Sequence, residues 1–267
     1  MWSNGLHSLS KMVIILALLM GFTTEGLAQQ DGSGGYSYKI GLGYGGCRDD
    51  LLVPLAFRGP GLFTGLSYTS SLGAWKFEVE GRFKFDFVFN RFWHPGAILS
   101  YDLIPGISRV ISEGHRGRTT LGLSTPIESN NQFLFSWDDA HLYWLNIRSV
   151  QIDLSHQWKS KSDNLIDMKV SLPVLNFISR PKAYRYEKQD ASLLWLGLYS
   201  PDEERDYKHV GISQYQAYSL EISRKHQEKQ VWWSLQLDYD HYTDPEDVWV
   251  SSISLIRSSK LSFRRDK

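Results

Sequence analysis

The sequence predicts an all-β chain: a closed antiparallel barrel of about ten to twelve strands. Three observations predict it. From Trp75 to Phe89 the side chains alternate almost without a break, with Trp75, Phe77, Val79, Gly81, Phe83, Phe85, Phe87 and Phe89 on one parity. The other parity holds Lys76, Glu78, Glu80, Arg82, Lys84, Asp86 and Val88. Successive side chains of a strand point to opposite faces, whereas a helix would scatter these residues around its circumference. Second, such segments recur along the chain and helical patterning is nearly absent. Third, the segments are long: at roughly 3.3 Å per residue, 75–89 spans on the order of 50 Å, well beyond an ordinary soluble strand.

The elements follow in order. Residues 12–22 form a short apolar core behind Lys11, and Gly26-Leu27-Ala28 places small residues at a cleavage position. Residues 1–28 therefore read as a secretory signal peptide, and 29–267 as a single barrel domain. Tyr36 to Tyr44 alternate, and a loop is expected over 45–60 around Arg58-Gly-Pro-Gly61. A strand through Leu62–Thr69 turns at 70–73 into the 75–89 strand. A breaker cluster at 90–96 precedes Ala97, Leu99, Tyr101 and Leu103 on one face. A connection is expected at 104–117, a strand at Thr119–Ser124 and a long loop over 125–140, within which Gln132–Trp137 reads either as a further strand or as part of the loop. Val150–Trp158, Ile166–Leu172, Tyr218–Ile222, Trp233–Tyr239 and 248–256 alternate in turn. Short turns fall at 159–164 and 225–230, and a long polar stretch at 179–210.

Composition narrows the function classes. The 29 Lys and Arg balance the 29 Asp and Glu, which gives no support for nucleic-acid binding. Beyond the N-terminus no apolar run is long enough for a membrane helix, and mean hydropathy is −0.31. A membrane barrel survives that test, because its strands are only half apolar. Aromatics reach 14%, with ten Trp, and several fall toward strand ends (Trp75, Phe89, Trp158, Trp233, Tyr239), as interfacial girdles would. Cys47 is the single cysteine, so an exported chain is built without an internal disulfide.

Together, the signal, alternating strands, aromatic belts and loop asymmetry resemble the outer-membrane β-barrel proteins of Gram-negative bacteria. The resemblance covers about residues 36–263 and rests on architecture. It implies a transmembrane barrel in the cell outer membrane, with short periplasmic turns and longer outer loops. Outer-membrane lipid is then the expected partner, with a protein partner reached through loops 45–60 and 179–210. Such barrels usually end in an aromatic residue; here Phe263 is followed by Arg264-Arg-Asp-Lys267. A soluble exported β-sandwich binding module satisfies the alternation of any one strand equally well.

In a barrel the polar parity faces the lumen. It carries Lys76, Glu78, Glu80, Arg82, Lys84 and Asp86 on the 75–89 strand, and Asp153, Asp167, Lys169, Glu221, Asp238 and Asp240 elsewhere. A barrel of this strand number is narrow. Mixed signs at that width are expected to pair into a network that fills it, whereas a pore for one ion sign prefers a ring of one charge. A narrow channel or a transport or assembly accessory fits the same residues. The alternative of a lipid hydrolase needs a Ser–His pair. Ser155 and His156 are sequence neighbours on opposite faces, His94 and His115 lie in breaker segments, and no GxSxG elbow is present. Asp138, Asp139 and His141 are candidate ligand-binding residues, but they lack a recognised metal spacing. A turn whose Asp side chains cap backbone amides explains them equally. No cofactor is expected.

Overall fold

The computed structural model describes residues 34–50, 53–114, 117–135, 140–160, 164–180, 208–211, 213–226, 231–243 and 247–261. Residues 1–28, read above as a signal peptide, together with His115, Asp138, Asp139, most of 179–210 and Phe263, lie outside the described residues. His141 lies within a strand, but its side chain is likewise outside them.

The strands are β1 (Gly35–Asp49), β2 (Val53–Leu72), β3 (Trp75–Phe89), β4 (Pro95–Gly114), β5 (Gly117–Ser124) and β6 (Ile127–Phe135). β7 (Ala140–Lys159), β8 (Asn164–Ser179), β9 (Lys208–Val210), β10 (Tyr215–His226), β11 (Val231–Tyr242) and β12 (Val248–Leu261) complete the set. All join one antiparallel sheet, and β1 pairs with both β2 and β12, so the sheet closes on itself. It is one closed barrel and not two stacked sheets, which removes the sandwich alternative. β5 and β6 both pair β4 on one side and β7 on the other, end to end, with the break at Thr125-Pro126. β9 and β10 likewise follow one another along β8. Twelve segments therefore fill ten positions around the barrel.

Several expected loops are strand. β1 runs to Asp49 and β2 begins at Val53, so 45–60 is not a loop that could present a partner site. Glycine misled the reading there. A Cβ on Gly59 would lie 1.9 Å from the Phe87 carbonyl oxygen, so the residue is required by close approach and not by a turn. Pro60 is tolerated because the β2–β3 ladder skips Gly59 and Pro60. The expected 104–117 connection is the second half of β4, paired with β3 and β5. Most of the expected 125–140 loop is β6, held between β4 and β7. Of the breaks expected on the loop side, the one at 90–96 is found between Phe89 and Pro95, and residues 181–207 lie outside the described residues.

The faces sort as a membrane requires. Leu42 is 68% exposed, and Ile40, Leu62, Phe77, Val79, Phe83, Leu123, Leu154 and Leu255 also point outward. An apolar band all around a closed sheet is a lipid-facing exterior, because closure pairs the two strands that would otherwise be free edges in hydrocarbon. Aromatics rim both ends of it. At the short-turn end Tyr36 packs on Tyr68, and the Arg109 guanidinium lies 5.4 Å over Trp75. At the loop end Phe87 meets Phe89, and Arg58 lies 5.7 Å over Trp249.

Candidate functional site

The inward parity of the ten positions defines the lumen, and the lumen is layered. At the loop end it holds two buried apolar clusters, with Gln132 buried opposite Ile98. Cys47, Phe57, Val88, Ile98 and Leu134 form one buried cluster; Leu145, Ile147, Ile178, Tyr215, Tyr242 and Val248 belong to another. Below them the interior turns polar and charged down to the short-turn end.

Nearly every charge predicted for the interior is found there. Glu80 is 5% exposed and lies between two cations. The Lys39 ammonium is 2.6 Å from its Oε1, and the Arg82 guanidinium grips both oxygens at 2.9 and 3.2 Å. Arg82 is two residues from Glu80 on β3, so the two side chains share a face. Lys39 instead reaches from β1 across β2. Toward the short turns Lys76 pairs with Glu78 at 2.9 Å, and toward the loops Lys84 pairs with Asp86 at 3.0 Å. Asp86 occupies room left by two glycines: a Cβ on Gly45 or Gly61 would collide with its carboxylate. Across the barrel Lys169 on β8 lies 3.4 Å from Asp153 on β7. Glu221 sits opposite Lys169 in the β10–β8 register, and Asp167 lies one inward position from Lys169. Asp238 accepts from Ser219 at 2.7 Å and from Gln236, and Tyr215 donates to Asp240 at 2.5 Å.

The lumenal charges missed in the sequence include Lys39, Asp102 and Glu128. Lys39 stood on the polar parity of its strand and completes the Glu80 cluster. Asp102 opposes Ala97, Leu99, Tyr101 and Leu103 by parity, which was a usable signal. It pairs in register with Arg82 on one side and Glu128 on the other. Glu128 was hidden by the mistaken loop over 125–140. Ser155 and His156 stay apart: Ser155 lines the lumen, while His156 meets Thr119 at 2.9 Å and stacks on Trp158. Among the described residues no group of His, Cys, Asp and Glu is arranged to hold a metal ion.

The chain matches no protein-family model and no curated protein. It is similar in structure to the translocator domain of the autotransporter NalP from Neisseria meningitidis, with 8% identity over 96% of this chain and 98% of that one, and a TM-score of 0.40. It is similar to the outer membrane protease OmpT from Escherichia coli at 7% identity over 85% and 97% of the two chains, TM-score 0.39. It is also similar to Neisserial surface protein A at 8% identity over 87% and 100%, TM-score 0.35.

Proposed function

We propose that this protein is an outer-membrane β-barrel whose lumen is held shut, not a diffusion pore. The observation that carries the reading is the Glu80 carboxylate clasped by Lys39 and Arg82 in the lumen, with the apolar layer of Phe57, Val88 and Ile98 beyond it toward the loops. Both halves oppose ion passage for different reasons. Paired charges offer an ion no uncompensated ring of one sign, and an apolar constriction expels water. The charge network therefore ties the strands of a narrow barrel together. Its partner is outer-membrane lipid around the apolar band, and the 179–210 connection is the segment offered to a protein partner.

Reconstitution in planar bilayers tests this. The wild-type protein is expected to give no single-channel steps. Replacing Glu80, Arg82, Phe57 and Val88 together with alanine in a barrel that still folds is expected to produce them. A steady open conductance from the unaltered protein would overturn the reading.

A further inference from the structure

The barrel wall is not hydrogen-bonded at every height. β8 pairs with β10 only from Asn164 to Ser171, and with β9 only from Asn176 to Ile178. Between them, among the described residues, 172–175 pair with no strand on that edge. Across the gap, Tyr215 to Tyr218 of β10 pair with β11 alone. The cause is local. Pro173 has no N–H to give to a ladder. The β7–β8 register shifts beside it, passing from Gln151 opposite Pro173 to Val150 opposite Leu175, and the β9–β10 run is interrupted at 211–214.

A cavity of about 120 Å³ meets this gap. Pro173 and Ala217 line it at the wall, and Asp102, Glu128 and Asp238 line it inside. Tyr218 and Tyr239 line it as well, yet both stand on the outward parity of their strands, stacked with ring centroids 5.0 Å apart. The cavity thus abuts the stretch of wall where the β8–β10 ladder is interrupted.

The interior of the cavity has the chemistry of a binding site. Its cations are committed elsewhere: Arg82 to Glu80, Lys84 to Asp86 and Lys169 to Asp153. Asp102 and Glu128 have no cation within ion-pair distance among the described residues. Ser124 is 2% exposed, lines the cavity, and its hydroxyl has no hydrogen-bond partner. On the loop side the lining is apolar, with Leu145, Ile147 and Val250.

We infer that the gap between β8 and β10 is a lateral portal that admits, from the membrane, an amphiphile with an amine head. The ammonium lies among Asp102, Glu128 and Asp238 with Ser124 beside it, and the hydrocarbon passes Pro173 and Ala217 to lie against Tyr218 in lipid. The portal leads sideways and not across the membrane, so it stands or falls independently of the closed lumen.

The test uses the full protein in nanodiscs of uncharged lipid, with decylamine as probe, decyl sulfate as comparator and empty discs as blank. Saturable one-to-one binding of decylamine above the blank is expected, with none for decyl sulfate. Glu128→Gln is expected to weaken it about tenfold, the loss of one charge-assisted contact. Ala217→Trp, which fills the opening, is expected to abolish it. A photoreactive decylamine analogue on the unaltered protein supplies a readout that needs no variant: labelling is expected at 172–175 and 215–218. Uptake equal to that of empty discs, labelling spread evenly around the barrel, or equal binding of decyl sulfate would overturn the portal.

Discussion

Lys39 on β1 and Glu80 on β3 meet 2.6 Å apart over a strand that lies between them. They can do so because Lys39 sits opposite Gly65 of β2, and Gly65 sits opposite Arg82 of β3. A glycine leaves the lumenal surface of β2 bare at that height, so the ammonium crosses it to reach the carboxylate. The contact ties three strands with one pair.

Removing the centre of that cluster strands two cations in the interior. Glu80→Ala is expected to cost about 3–5 kcal/mol, the range for breaking a buried ion pair by deleting one partner. Urea unfolding of the protein in lipid vesicles, followed by tryptophan fluorescence, measures it. A loss below about 1 kcal/mol would mean that the cluster is solvated and does not bind the strands together.

Gly59 of β2 and Gly81 of β3 separate close approach from mere flexibility. Gly59→Ala drives a Cβ into the Phe87 carbonyl oxygen, and the folded, heat-modifiable band on a gel is expected to disappear. Gly81→Ala points outward, its nearest atom being the Leu66 carbonyl oxygen at 3.9 Å, and is expected to change stability by less than about 0.5 kcal/mol. Equal behaviour of the two variants would contradict the packing described at β2.

On the exterior, Leu42→Arg places a charge in the middle of the apolar band. In lipid the expected cost is about 2–4 kcal/mol. On a water-facing surface the same change would stay within about 0.5 kcal/mol. Unfolding titrations in vesicles discriminate the two, and a neutral result would remove lipid from that face.

The connection at 90–94 is organised by one side chain. Asn90 Oδ1 accepts from the amides of Phe92 at 2.9 Å and His94 at 3.1 Å, which holds Trp93 at a φ of 63°. Asn90→Ala removes both bonds and is expected to cost about 1–2 kcal/mol. Protease nicking at 91–93 should appear in the variant and not in the unaltered protein; an equally resistant loop would show that Asn90 does not hold it.

β3 was legible to the residue because its alternation from Trp75 to Phe89 is uninterrupted. β2 and β4 were not, because Gly59, Pro60, Gly61 and Pro105 carry the same letters whether they break a strand or let one pass close to a neighbour. Only the neighbour's identity decides, and that is a long-range fact. The charged parity of β3 was visible, and the pairs the structure forms within it, Lys76 with Glu78 and Lys84 with Asp86, lie two residues apart on that parity. The pairing of Glu80 with Lys39 was not, since nothing local says which strands share a wall. The apolar loop-end interior was hidden for a related reason. Phe57, Val88 and Ile98 stand on the inward parity, where a rule of polar-inward and apolar-outward places hydrophilic residues.

The ring is closed by the pairing of Tyr36 with Leu261 and its continuation along β1 and β12. Every other ladder joins segments nearer in sequence, so closure is the contact with the greatest loop entropy to overcome. It joins the two ends of the series of described strands. Until it forms, two edges of unpaired amides face the bilayer, and no partly built barrel is a stable resting state there. In the bilayer, insertion of this chain is therefore favoured only together with formation of the β1–β12 seam.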